Sequence, residues 1–100
     1  MITSFGDAAT EDLFHGRRTA RVRRFPADVV KVALRKLDAL NAAARLEDLK
    51  APPGNRLEAL KRSRLGYQSI RVNDQWRLIF RWDGGRGEAS GIYLDDHSYQ

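Results

Sequence analysis

The chain has 100 residues, 42% of them apolar, with eighteen Lys and Arg against thirteen Asp and Glu and a net charge of +5. That length holds one domain around one core; it excludes a second domain or a large cofactor fold, and the apolar share excludes a wholly disordered chain. No cysteine is present, which excludes disulfides and thiol chemistry, and no apolar run approaches the ~20 residues of a membrane helix.

Met1–Phe5 reads as a short first strand through Ile2 and Phe5. Gly6 and Asp7 follow at once, without the apolar block of a signal peptide, so a cytoplasmic protein with no membrane partner is expected. Asp7 is a fair N-cap for a helix over Ala8–His15, and Gly16 a fair stop. Arg17–Arg24 contains five arginines and reads as a basic linker. Pro26 and Asp28 suit the first turn of a longer helix. Phe25, Val29, Ala33, Leu37, Leu40 and Ala44 recur at three- and four-residue steps, which makes one apolar stripe running to about Ala44. Leu46–Leu49 adds a turn, and Ala51-Pro-Pro-Gly-Asn55 is loop because two prolines cannot continue a helix.

The second half changes period. Ile70 and Val72 alternate with Ser69 and Arg71, and Asn73-Asp74 supplies a turn. Trp76, Leu78, Phe80 and Trp82 alternate with Arg77, Ile79 and Arg81; Asp83-Gly84-Gly85 turns the chain again. Glu88–Leu94 returns as a third strand. Short turns make these strands antiparallel. One face (Trp76, Leu78, Phe80, Ile92, Leu94) can receive the helical stripe, and the other carries Arg77, Arg81, Tyr93 and Asp95. The expected fold is α+β: two N-terminal helices packed on one face of a twisted antiparallel sheet, in a single domain over residues 1–100.

Fourteen of the eighteen basic residues are Arg. The planar guanidinium fork matches phosphate oxygens and stacks on bases, so the composition points to a polyanionic partner or, equally, to a solvated surface. His15, His97 and the pair Asp95-Asp96 match no zinc or HExxH spacing, and no phosphate-binding glycine loop is present, so no metal or cofactor is expected. No helix-turn-helix pair marks a DNA-binding regulator. Metal-free RNA cleavage needs a base for the ribose 2′-hydroxyl, a cation on the phosphorane and an acid for the leaving 5′-oxygen. Glu58, Arg77 and His97 supply one candidate for each.

Arg56-Leu57-Glu58-Ala59-Leu60-Lys61, Leu65-Gly66-Tyr67-Gln68-Ser69, Trp76-Arg77-Leu78-Ile79-Phe80 and the closing Tyr93-Leu94-Asp95-Asp96-His97 together resemble the HigB branch of the RelE toxin superfamily, as does the opening Met-Ile-x-Ser-Phe. The resemblance implies a RelE-like fold and a ribosome-dependent mRNA endoribonuclease, held inactive by a cognate helix-turn-helix antitoxin of the HigA type. It implies that Arg77 contacts phosphate, that Lys61 assists RNA binding, and that Asp95 and His97 fill the acidic and histidine positions of the tail. Two residues depart from the HigB pattern. Glu58 stands where His is usual, and Asp96 where Tyr is frequent. The YoeB branch has Glu at the first of these places, with the same Leu-Lys pair after it and its Arg nineteen positions on, as here. The site expected is therefore a YoeB-like Glu58–Arg77–His97 set in a HigB-like chain. Arg62, Arg64, Arg71, Arg81 and the Arg17–Arg24 cluster are expected to add RNA contacts, and Tyr99 a replacement ring for the one lost at Asp96. The alternative is a module of the same fold that binds an antitoxin or RNA without cutting.

Overall fold

The structure, a computed structural model, describes residues 1–96. Helix α1 (Ala8–Phe14) begins at Asp7, whose Oδ1 accepts a hydrogen bond from Thr10 N at 2.8 Å, and ends where Gly16 turns the chain. Helix α2 (Ala20–Arg23) is a single turn capped by Thr19. Helix α3 (Ala27–Ala42) buries Val29, Ala33, Leu37 and Leu40 along one stripe, as the periodicity requires. Strands β1 (Glu58–Ala59), β2 (Tyr67–Arg71), β3 (Trp76–Asp83) and β4 (Glu88–Asp96) form one antiparallel sheet in the order β1-β2-β3-β4. The α3 stripe packs with Ile70, Val72, Leu78, Phe80, Ala89, Ile92 and Leu94 in the core, and Phe25 meets Trp76 edge-on at 5.6 Å. Truncating a fully buried member such as Leu37 to Ala costs about 2–5 kcal/mol.

The two hairpin turns form where expected, each organised by a carboxylate or amide oxygen. Asn73 Oδ1 accepts from Gln75 N and Trp76 N, both at 2.8 Å. Asp83 Oδ1 accepts from Gly85 N and Arg86 N.

Four local expectations change. Met1–Phe5 makes only isolated parallel bridges to β4, Ile2 with Ala89 and Phe5 with Ile92, rather than a strand. The reason is a bulge in β4. The register slips between Ile79 and Arg81, and Gly91 has a left-handed φ of 62°. That extra residue lets both Ala89 and Ile92 face the core, fully buried, but it breaks the even spacing a neighbouring strand needs. Ser4 Oγ covers the gap by accepting from Gly91 N at 2.9 Å. Gly6 lies so close to the bulge that a Cβ there would sit 2.7 Å from the Gly91 carbonyl oxygen. Thr10 Oγ1, fully buried, then accepts from Leu94 N at 2.9 Å. The outer edge of β4 is thereby covered rather than left open for another chain to pair with.

The second change is at the Arg17–Arg24 segment, which is not a plain linker: Ala20–Arg23 is helical. The third is that α3 stops at Ala42 instead of Ala44, because Asp48 Oδ2 accepts from Ala44 N and Arg45 N and turns the chain into a 3-10 segment over Leu46–Lys50. Those bonds, with the Arg45 guanidinium, hold the Asp48 carboxyl below its ordinary range despite some desolvation. Ala43, rather than Ala44, completes the core. The fourth is β1, an added edge strand of two exposed residues. It is too short to show any alternation.

Candidate nucleic-acid interface

Pairing register places the chemistry-bearing residues on the sheet face away from the helices. Arg77 stands between Arg71 of β2 and Asp95 of β4; the next row holds Glu58, Ser69, Ile79 and Tyr93; the row beyond pairs Tyr67 with Arg81. This face is not uniformly polar. Ile79 and Ser69 are fully buried, so it has a solid floor.

Arg77 is the fixed point. Its Nη1 donates to Glu58 Oε1 at 2.7 Å and to the buried Ser69 hydroxyl. The arginine side chain is 14% exposed and the glutamate 57%. Nη1 is thus committed, while the guanidinium carries five N–H donors in a rigid fork. Among the described residues, its Nε and Nη2 groups have no hydrogen-bond acceptor. β1 exists at the point that matters: its pairing of Glu58 with Ser69 brings the carboxylate across β2 to an arginine nineteen residues later.

Arg64, from the 3-10 turn Arg62–Arg64 between β1 and β2, donates to Asp95 Oδ2 at 3.0 Å. Asp95 is mostly buried, with 12% side-chain exposure, so in this arrangement it orients a guanidinium at the edge of the face. Lys61 and Arg62 are exposed in the same turn, and Arg62 takes a left-handed φ of 59°. Arg81 lies over the Tyr67 ring at 4.6 Å. Arg71 pairs with Asp74 across the hairpin turn. His97 and Tyr99 lie outside the described residues. Of the expected site residues, the structure brings Glu58 directly onto Arg77 and Arg64 onto Asp95. Lys61 and Arg62 are exposed in the turn that follows β1, Arg81 lies two rows along the face, and none of the three pairs with Glu58 or Arg77. Asp95 and Asp96 are taken by different partners, Arg64 and the Gln75 amide, and among the described residues no group of three or more His, Cys, Asp or Glu could hold a metal ion.

Ser69 and Tyr67 were not among the expected site residues. Both lie on the face that carries Arg77 and Arg81, Tyr67 as the register partner of Arg81 and Ser69 one row along from Arg77, so strand parity carried the signal. Among the described residues, a cleft of about 460 Å³ lies on the helix side, between Asp7, Ala8, Arg21, Arg24, Phe25 and Leu94. A sheet face with a mostly buried guanidinium and exposed cations on its strands and turn can take the backbone of an extended polyanion.

The Arg17–Arg24 segment is a second basic cluster, built differently. Asp12, nearly buried on α1, accepts from Arg17 Nη1 at 3.1 Å, from Thr19 Oγ1 at 3.0 Å and from Arg21 Nη1 at 3.0 Å. Burial works to raise the Asp12 pKa, but the hydrogen bonds from Arg17, Thr19 and Arg21 outweigh it and leave the carboxyl below its ordinary value.

The sequence model of the HigB-like toxins, the RelE-like toxins of type II toxin-antitoxin system HigB, matches residues 3–97. The chain is 41% identical over 99 residues to Toxin HigB-1 of Vibrio cholerae serotype O1, covering 99% of this chain and all of that protein. It is 42% identical over 76 residues to an uncharacterized protein of Haemophilus influenzae, covering 76% of this chain and 73% of that one. Among solved structures, the fold matches a chain of the toxin-antitoxin complex RelBE2 from Mycobacterium tuberculosis with a TM-score of 0.56 at 16% identity, over 96% of this chain and 95% of that one. It matches a chain of the YoeB-YefM complex from Staphylococcus aureus with a TM-score of 0.54 at 15% identity, over 92% and 94%. The α+β architecture with an antiparallel sheet is the one expected from the sequence.

Proposed function

Because this chain belongs to the HigB-like family of RelE-like toxins from type II toxin-antitoxin systems, we propose that it is a metal-independent endoribonuclease that cuts mRNA on the ribosome. The observation that carries the reading is the Arg77 guanidinium, pinned by Glu58 and Ser69 on the basic sheet face with donors to spare. Arg77 grips the scissile phosphate through Nε and Nη2 and stabilises the charge that builds on the phosphorane. Glu58, exposed and already at the phosphate position, takes the proton from the ribose 2′-hydroxyl. The 2′-oxygen attacks the adjacent phosphorus, the bond to the 5′-oxygen breaks, and His97, next in sequence after β4, protonates the leaving oxygen. The products are a 2′,3′-cyclic phosphate and a 5′-hydroxyl end. Imidazole, with an ordinary pKa of about 6.5, can serve as the acid near neutral pH.

Lys61, Arg62 and Arg64 supply the cationic rim, with Asp95 holding Arg64 in place. The partner that silences the toxin is a cognate antitoxin carrying a helix-turn-helix of the HigA type. No helix of the described chain is long and apolar enough to cross a membrane, and cleavage on ribosomes places the work in the cytoplasm. The direct experiment is Arg77→Ala, induced in a bacterium beside the parent: growth arrest equal to the parent's would overturn the mechanism. Purified protein mixed with naked RNA and with programmed ribosomes tests the second half, since cleavage confined to the ribosome mixture is expected.

One observation favours a second reading, a module that binds RNA or antitoxin without cutting. Glu58 Oε1 is occupied by Arg77 in the absence of RNA. For such a binder, Glu58→Gln and His97→Gln would leave growth as the parent does; for the nuclease both relieve the arrest.

A further inference from the structure

We propose that Tyr67 and Arg81 form a stacking subsite for one nucleobase of a single-stranded RNA whose scissile phosphate lies at Arg77. The inference rests on the reading that RNA crosses this face, and adds to it a second contact of different chemistry.

Arg81 is the first observation. Arg64, Arg71 and Arg77 each pair with a carboxylate. Arg81, exposed on the same face, has no carboxylate partner among the described residues, and its guanidinium carbon lies 4.6 Å from the centre of the Tyr67 ring. A guanidinium laid on an aromatic face presents an outward plane of delocalised positive charge, and such planes stack on nucleobases. The second observation is how the ring is held. Tyr67 is half-buried and meets Tyr93 edge-on at 6.5 Å. It lies over the β4 bulge, where a Cβ on Gly91 would already be 3.9 Å from both Cε2 and the hydroxyl oxygen. The ring therefore rests within van der Waals distance of the bulge. The third observation is alignment. Tyr67 and Arg81 are register partners on the face that carries Arg77. Four residue steps of strand run from Arg77 to Arg81, about 13 Å, a short step along an extended single strand. Stacking of this kind tolerates every base, because each has a π-face, and gains with ring area, so purines bind better than pyrimidines there.

The test uses the purified full chain and an uncleavable 2′-O-methyl hexanucleotide, with NMR signals of the Tyr67 ring and of the Arg81 and Arg77 Nε–H groups as readouts. The expected result is movement at all three, with the Tyr67 and Arg81 shifts lost when one base is removed to leave an abasic sugar while the Arg77 shift persists. Tyr67→Leu is expected to weaken binding about five- to tenfold, Arg81→Lys to weaken it less, and Tyr67→Phe to restore it. Movement at Arg77 alone, or equal Tyr67 and Arg81 shifts with the abasic strand or with a poly-glutamate peptide, would overturn the stacking subsite and leave the phosphate reading standing. Movement at none of the three would overturn the subsite, while cleavage by programmed ribosomes separately decides the phosphate reading.

Discussion

The two arginine clusters of this molecule are mirror images in burial. Around Asp12 the carboxylate is the buried partner at 8% exposure, and Arg17 and Arg21 reach it from solvent at 56% and 58%. On the sheet, Arg77 is the shielded partner and Glu58 the exposed one. A shielded carboxylate with several donors is a structural anchor, since it must keep its bonds to stay buried. A shielded guanidinium with one exposed carboxylate keeps spare donors and a partner that can swing away at little cost, which is what a reaction site needs. The same residue types therefore hold a segment in place in one region and, on the proposed mechanism, serve the chemistry in the other.

The largest expected effect that could break this contrast is at Arg77. Arg77→Ala should lower ribosome-coupled mRNA cleavage on the order of 10³-fold, read by the rate of cut-end appearance. Glu58→Gln should lower it on the order of 10²-fold, with an unchanged melting temperature because the side chain is exposed. A Glu58 variant that melts early would show that the sheet pair is structural after all. Thr10→Val, which strips the buried acceptor from Leu94 N where the helical half meets β4, should cost about 1–3 kcal/mol in urea unfolding.

Asp12→Asn should lower the melting temperature by several degrees and open the Arg17–Arg24 segment to trypsin, without removing any group from the proposed reaction site. The pH dependence follows from the depressed Asp12 pKa. A carboxyl that ionises more readily in the folded chain than in the unfolded one stabilises the fold above its unfolded value, and loses that contribution as pH falls through its folded value. The melting-temperature gap between parent and Asp12→Asn should hold steady from about pH 5 to 8 and close below the ordinary Asp value of 3.8. The smallest effect is reserved for Asp74→Ala. It removes a pair whose carboxylate is 98% exposed, and no change in melting temperature is expected.

Much of this was legible from the residues themselves. The stripe from Val29 to Leu40 and the alternation from Trp76 to Trp82 each set which side is buried, because period 3.6 and period 2 are properties of the local backbone. Asp7, Asn73 and Asp83 cap or turn the chain through oxygens that reach only a few residues away. Family resemblance singled out Glu58 and Arg77. It carried no sign of Ser69 as a second acceptor for Arg77, of Arg81 resting on Tyr67, or of Asp95 serving Arg64.

Local patterning alone determined α1, the apolar stripe of α3, the hairpins and the sign of the charge, since these depend on neighbours a few bonds away. Tertiary structure decided three further things. The bulge at Gly91 settled the fate of Met1–Phe5, the burial of Asp12 turned a basic stretch into an anchored helix, and the pairing of Glu58 with Ser69 brought a carboxylate to its arginine. Each of these joins groups distant in sequence, and whether a charge is shielded or wet depends on what folds over it, which no window of neighbouring residues contains.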